Sequence, residues 1–380
     1  MRESSLAQSL AIESQIRLPG SAGRLLKQIR DIESVAPIFR DAGLVKAVDR
    51  PATIDLTVSG IATHSCIKRA LGGFIFASAA VRTDMLIDAN RISTCGSDSV
   101  AELDDIDFEA QRKRLDLVEM RQAYVLAERL LNSSVASQLI LLDTPLFIAR
   151  EMIPLKRNVK HWQEYEKTRT AIATFWENYR EQLFPWNPQG AVLVSVVAQR
   201  FSAIVSIARQ DLRKEDGRKH LLLSDGFDQD QANQLVDLEQ RLSGVGDYRF
   251  IKGILGAFTR TMAFRMTENR ARMEPAESVE AGVIGFHYRG GRSSEIQMAQ
   301  LAGEESDWNT DTLNAVAWKL MVLDMQGQKM NTPLPQLLGQ QQLRMLEQFT
   351  TYYRQGLSNA MKENEIEETW LSGLFGEEQQ

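Results

Sequence analysis

The chain has 380 residues, 43% of them apolar, which is enough to bury one large core without disulfide or metal staples. Its two cysteines, Cys66 and Cys95, have no C-x-x-C or other metal-ligand spacing, which argues against a disulfide framework and a structural zinc site and points to a cytoplasmic protein. A formal net charge of −6 argues against a protein that coats nucleic acid through a uniform positive field, and no run approaches the ~20 apolar residues of a bilayer span, so no membrane association is expected.

Residues 1–45 place Leu6, Leu10, Ile16, Leu25, Ile29 and Ile32 at helical spacing, predicting one or two amphipathic helices that form an N-terminal arm. Short strands are expected at 52–60 (ATIDLTVSG) and 72–81 (GGFIFASAAV). The acidic stretch 98–109 reads as irregular, and a helix is expected from Phe108 to Leu131. SQLILLDTPLF then gives the continuous apolar run of a buried central strand, with Pro145 at its exit.

A second long helix is predicted over about 155–183, followed by a buried strand at 191–199 (AVLVSVVAQ) and further helices to about 280. GVIGFHYRG and SSEIQMAQL read as a hairpin, and a helix pair flanks the break NTPLPQ. The main domain is expected over 46–363, with a flexible tail at 364–380. The apolar segment FIKGILGAFTRTMAFRM and the N-terminal arm are both read as exposed contact surface. The order strand, long helix, buried strand indicates an α/β protein.

Several chemistries lack their parts: the sequence contains no G-x-x-x-x-G-K-[ST], no G-x-G-x-x-G after a strand and no G-x-S-x-G. His64, His161, His220 and His287 are scattered, with no i, i+4 pair to grip zinc, and read as ordinary surface or packed histidines. More pointed are Asp55 within ATIDLTVSG and Asp143 at the end of LILLD. A carboxylate on an apolar strand is costly to desolvate unless it is paired or bound to a cation, and two on adjacent strands suit metal-dependent phosphodiester cleavage. The plainer account has Asp143 capping a turn and Asp55 facing solvent on an edge strand.

LILLDTPLF resembles the second signature of the NurA family of DNA end-processing nucleases, an apolar strand ending L-D-G-S-L, with Thr144 and Pro145 in place of Gly and Ser. VEMRQAYVLAERLL resembles the helix that carries the family's metal-binding glutamate. Glu119 is the preferred match there, and Glu128 is its alternative. For the family's opening strand ending D-G-S, Asp55 is preferred and Asp49, in KAVDRP, is the rival. LVSVVAQRFSAIVSIA resembles the segment with a family lysine, at a position occupied here by Gln199. HLLLSDGF and IGFHYRGGRSSEIQM resemble later family elements. NTPLPQLLGQQQLRML is similar to the closing P-x-P-L-x-x-A-H helix, with Gly339 and Gln340 replacing Ala and His.

The resemblance, in order over about residues 45–350, implies an RNase H-like mixed-sheet core with added helices. It also implies Asp55, Glu119 and Asp143 as catalytic ligands of Mn²⁺ or Mg²⁺, DNA as substrate, a homodimer, and a HerA-type hexameric ATPase as translocase partner. Such a pair would act in DNA end processing or in defence against foreign DNA. The missing glycine-serine pairs and the two glutamines remove groups that shuttle protons or stabilise phosphate charge. A catalytically degenerate regulatory subunit is therefore the first rival reading. A helical adaptor without a nucleic-acid role is the second, in which Asp55, Glu119 and Asp143 would lie far apart or face solvent.

Overall fold

The computed structural model describes residues 6–49, 54–70, 73–88, 91–149, 152–198, 247–265, 282–291, 294–327 and 332–364, with isolated positions at 230, 238, 242 and 245. Helix α1 (Leu6–Asp41) is a single helix that runs through Pro19 and Pro37. Only its last turns are buried. Ile32, Val35, Ala36 and Phe39 follow the i, i+3, i+4, i+7 pattern of one face and pack on α4 (Asp247–Ile254), with the Phe39 and Phe250 rings 5.0 Å apart, edge to face. The segment expected to offer exposed apolar surface is thus internal: Phe250, Ile251, Ile254, Leu255, Met262 and Phe264 are buried, because the end of α1 covers them.

An 11-stranded sheet forms the centre. Its strands are β1 (Val45–Ala47), β2 (Leu56–Ala70), β3 (Gly73–Asp88), β4 (Arg91–Ile106), β5 (Leu139–Leu142), β6 (Leu183–Phe184), β7 (Ala191–Ala198), β8 (Thr259–Thr261), β9 (Phe264–Arg265), β10 (Val283–Arg289) and β11 (Gln297–Ala302). The spatial order is β1-β8-β10-β11-β7-β5-β2-β3-β4, with β6 beside β7 and β9 beside β10. Strands β2, β3 and β4 form an antiparallel meander, whereas β5 lies parallel to β2 and β7 parallel to β5. An antiparallel meander extended on one side by two parallel crossover strands is the RNase H-like mixed sheet, and a sheet of this size excludes an all-helical scaffold.

The meander departs from the expected elements. Strands β2 and β3 are far longer than the short runs at 52–60 and 72–81, and the acidic stretch taken as irregular is the outer half of β4. The acids hid it, since β4 is an edge strand whose mostly exposed side chains need no apolar alternation. Likewise β8 and β9 lie within the region expected to be helical. The LILL run behaves as expected of a central strand: Ile140 and Leu142 pack on one face, Leu139 and Leu141 on the other, each burial stabilising by roughly 1.5–3 kcal/mol.

Helices α2 (Gln111–Leu131) and α3 (Val159–Tyr179) cover one face, where Leu117, Tyr124, Phe175 and Trp176 join Ile61, Ile140 and Leu142. On the other face lie α5 (Thr310–Gln326), α6 (Leu334–Leu343) and α7 (Leu346–Glu363), three helices where a pair was expected. Helix α6 comes so close to the meander that a Cβ at Gly60 would sit 2.5 Å from Pro335 Cβ, and one at Gly339 would sit 2.9 Å from Ala62 Cβ. Among the described residues, no helix is long and apolar enough to cross a membrane.

Candidate active site

Strand β5 ends one residue before Asp143, while its partner β2 runs on. The Asp143 carboxylate takes over where the ladder stops. It accepts the Thr63 backbone N–H at 2.8 Å and the Thr63 hydroxyl at 3.0 Å. Two residues further along β2, on the same face, the Ser65 hydroxyl donates to Glu119 of α2. Thr63 and Ser65 are separated by ~7 Å at strand rise, so β2 presents the two acids side by side.

Both carboxyls are electrostatically strained. Burial pushes Asp143 up to about 7, opposed by its bonds from Thr63 and reinforced by the negative charge of Glu119. Burial also raises Glu119, against the Ser65 hydrogen bond and the Arg112 guanidinium, which lies 3.9 Å away and is largely exposed. Two partly buried acids that repel each other, offset chiefly by the exposed Arg112 beside Glu119, form a site where a positive ion would be stabilised. Its donors, two carboxylates and two hydroxyls, are the hard oxygens that Mn²⁺ and Mg²⁺ favour.

Asp55 does not join this pair. It is exposed and precedes β2, eight positions before Thr63, roughly 27 Å along an extended strand. Asp49 is no substitute: it follows β1 at the opposite edge of the sheet, with β8, β10, β11 and β7 intervening before β5. Glu128 accepts a hydrogen bond from the Tyr179 hydroxyl of α3, a packing role nine residues from Glu119 on the same helix. Among the described residues, no cluster of three or more His, Cys, Asp or Glu side chains is placed to hold a metal. On β2, the positions facing α2 beside Asp143 are Ile61 and Thr63.

The hydroxyls of Thr63 and Ser65 were not singled out in the sequence, where THSC carries no signal beyond its small polar residues. The backbone carbonyl of Thr144, after the strand, accepts a hydrogen bond from the Ser195 hydroxyl at 2.6 Å, which ties β7 to the end of β5. Gln340 lies on α6, across the sheet from α2. Gln199 and the HLLLSDGF segment lie outside the described residues. His64 is exposed, and its Nε2 lies 3.6 Å from Cys66 Sγ. His287 is buried and stacks on Phe264.

The sheet order, an antiparallel meander extended by parallel strands with helices on both faces, defines a mixed-sheet α/β fold. That fold is NurA-like. The NurA nuclease from Sulfolobus solfataricus aligns with 96% of this chain and 99% of its own, with a TM-score of 0.55 and 11% identity. A second NurA structure covers 90% of this chain and 97% of its own (TM-score 0.48, 9% identity), and a NurA structure with manganese covers 86% and 95% (TM-score 0.43, 10% identity). By sequence, no protein-family model and no curated protein matches the chain.

Proposed function

We propose that the protein is a divalent-metal-dependent nuclease acting on DNA ends, with Asp143 and Glu119 as the acids that hold the cation. The observation that carries this reading is the meeting of two partly buried, mutually repelling carboxylates at Thr63 and Ser65, neighbouring same-face positions of β2. When bound, Mn²⁺ or Mg²⁺ would supply an activated water and charge stabilisation of the leaving oxygen. The chain's own part is positional. Thr63 fixes Asp143 through two hydrogen bonds, Ser65 fixes Glu119, and Arg112 is held near by Asp116 at 2.9 Å. With Asp55 remote, the reading is of one cation held by two acids, completed by water and substrate oxygens.

The likeness in sequence motifs also motivates a homodimer and a HerA-type hexameric ATPase as partners, with roles in DNA end processing or defence against foreign DNA. The exposed N-terminal two thirds of α1, with Leu10, Ile16 and Leu26 uncovered, offers apolar surface for such contacts.

The second reading, a catalytically degenerate subunit that regulates the motor, is favoured by one feature: Ile61 and Thr63 occupy the strand positions beside Asp143. Calorimetric titration with Mn²⁺, followed by digestion of linear DNA with and without the ATPase, separates the two. Metal binding with cleavage supports the nuclease. Metal binding without cleavage under either condition supports the regulatory subunit, and no metal binding removes the assigned site.

A further inference from the structure

A cavity of about 360 Å³ opens at the N-terminus of α2, walled by Ala110, Gln111, Arg112, Lys113, the loop residues Ile153, Leu155 and Asn158, and His161 of α3. The hydrogen-bond ladder of α2 begins only with Arg114 N–H to the Ala110 carbonyl, and no side chain caps the first turn. The first turn of α2 thus forms the positive end of a 21-residue helix dipole. Ala110 is itself held in the left-handed region (φ 47°), and it has no side chain able to cap the turn.

What turns this helix end into a site is His161. The residue is 1% exposed, it lines the cavity, and neither ring nitrogen closes a hydrogen bond of good geometry, although the Met152 backbone is near enough to favour the charged ring. A buried imidazole without a firm partner costs stability unless something polar meets it. Gln111 Nε2, also buried, is likewise unmatched. Both groups can donate, and so can the helix N–H groups and the Asn158 amide. Basic side chains are near as well: the exposed Arg112 and Lys113 line the cavity, Arg112 also pairing with Asp116 at 2.9 Å, and the exposed Lys156 and Arg157 fall in sequence between the lining residues Leu155 and Asn158. The nearby acids are committed, Asp107 to Arg114 and Lys160, and Glu109 to the His161 backbone N–H. Convergent donors at a helix N-terminus, a basic rim and an acid-free lining are the chemistry of a phosphate receptor.

We propose that this cavity binds a phosphate group of the nucleic-acid strand that reaches the Asp143–Glu119 pair. The anion site stands on the cavity itself, and its assignment to a DNA strand rests on the nuclease-type reading above. Arg112 links the two places, since it lines the cavity and lies beside Glu119. Seven residues of helix separate them, roughly 10 Å at helical rise, which matches about three nucleotides of stacked strand. Ile153 and Leu155 give the cavity an apolar wall on which a sugar or base can lie. Burial, then Lys113, holds the His161 ring below its usual pKa, so an anion arriving beside it raises that value.

The test uses the full chain. Imidazole ¹H–¹⁵N spectra are recorded as inorganic phosphate is added at constant ionic strength, with chloride as control. His161 resonances are expected to move with phosphate and not with chloride, and the His161 titration midpoint is expected to rise. Fluorescence anisotropy then follows single-stranded oligonucleotides, with and without a 5′-phosphate, over a salt series. Lys113→Gln is expected to weaken binding several-fold and flatten the salt slope by about 0.7, the share of one phosphate contact.

A preference for the 5′-phosphorylated strand would assign the site to a DNA end, and equal binding to an internal diester. His161→Gln, checked for folding by its melting curve, is expected to abolish the phosphate-dependent protection of the other cavity groups. His161 resonances unmoved by phosphate overturn the site, and DNA binding unchanged in Lys113→Gln overturns its assignment to the strand. Asp143→Asn separates this from the metal reading, because it is expected to lose Mn²⁺ binding and to keep the phosphate-induced shift.

Discussion

Replacing Asp143 with Asn should stabilise the metal-free protein near neutral pH and destroy its response to metal. The reasoning starts from burial. Asp143 is pushed from 3.8 to about 7, chiefly by desolvation, with Glu119 adding to it. A carboxyl whose folded pKa lies above its unfolded value holds its proton longer in the folded state. The stability it contributes is therefore complete below about pH 4 and is lost as pH rises to about 7, where it levels off. At ~1.4 kcal/mol per unit, a shift of this size is worth on the order of 4 kcal/mol.

Asn keeps the acceptor for the Thr63 N–H, and the Thr63 hydroxyl can rotate to accept from the new amide, so the packing survives while the titration disappears. Urea unfolding in chelator, from about pH 5 to about pH 8, is the assay. Wild type is expected to lose stability relative to Asp143→Asn up to about pH 7, with the gap levelling off above it. Adding Mn²⁺ to about one hundred times its dissociation constant should then stabilise wild type by ~2.7 kcal/mol and leave the variant unmoved. Parallel stability curves for the two proteins without metal would refute the strained-carboxyl account, and equal stabilisation of both by Mn²⁺ would refute Asp143 as a ligand.

Glu119→Gln keeps an oxygen acceptor for Ser65 and removes one negative charge from the pair, so Mn²⁺ affinity should fall at least ~10-fold in a calorimetric titration while the melting temperature without metal holds or rises. Gly60→Ala puts a methyl group 2.5 Å from Pro335 Cβ and 2.7 Å from the Gln336 backbone nitrogen. It should cost ~1–3 kcal/mol in urea unfolding with little change in metal affinity. Asp324 on α5 is buried beside the Tyr288 hydroxyl and pushed up to about 8, so Asp324→Asn should raise stability at alkaline pH and leave acid-side stability nearly unchanged, read from the same pH series.

How far the sequence reveals this site depends on where each acid stands relative to its strand. Asp143 is legible because LILL is buried on both faces, so an uninterrupted apolar run ending in an acid can only be the mouth of a central strand. Glu119 is reached only through the resemblance of VEMRQAYVLAERLL to a family helix; in the fold, the neighbouring buried residues Leu115, Leu117, Val118, Met120 and Ala123 pack α2 on the sheet. The meander is not legible in this way. Ser59 and Gly60 read as the polar, glycine-marked end of a strand, which places Asp55 near a functional terminus. In the fold, Gly60 is mid-strand and glycine is there because Pro335 leaves no room for a side chain. The strand runs ten residues past it, and the hydroxyls that meet Asp143 and Glu119 are those of Thr63 and Ser65, beyond the apparent end.

A tertiary contact from residues almost three hundred positions away thus disguised a strand interior as a turn, and that displaced the expected third acid by the length of half a strand. The same reasoning explains β4. Two of its acids, Asp98 and Glu102, pair with Arg82, Arg121 and Arg129, and its mostly exposed side chains show no apolar alternation. It follows that the first acid of the expected trio cannot be recovered by shifting Asp55 along the sequence. The β2 positions that face α2 beside Asp143 hold Ile61 and Thr63, so the chemistry of this site rests on what two carboxylates and two hydroxyls can hold.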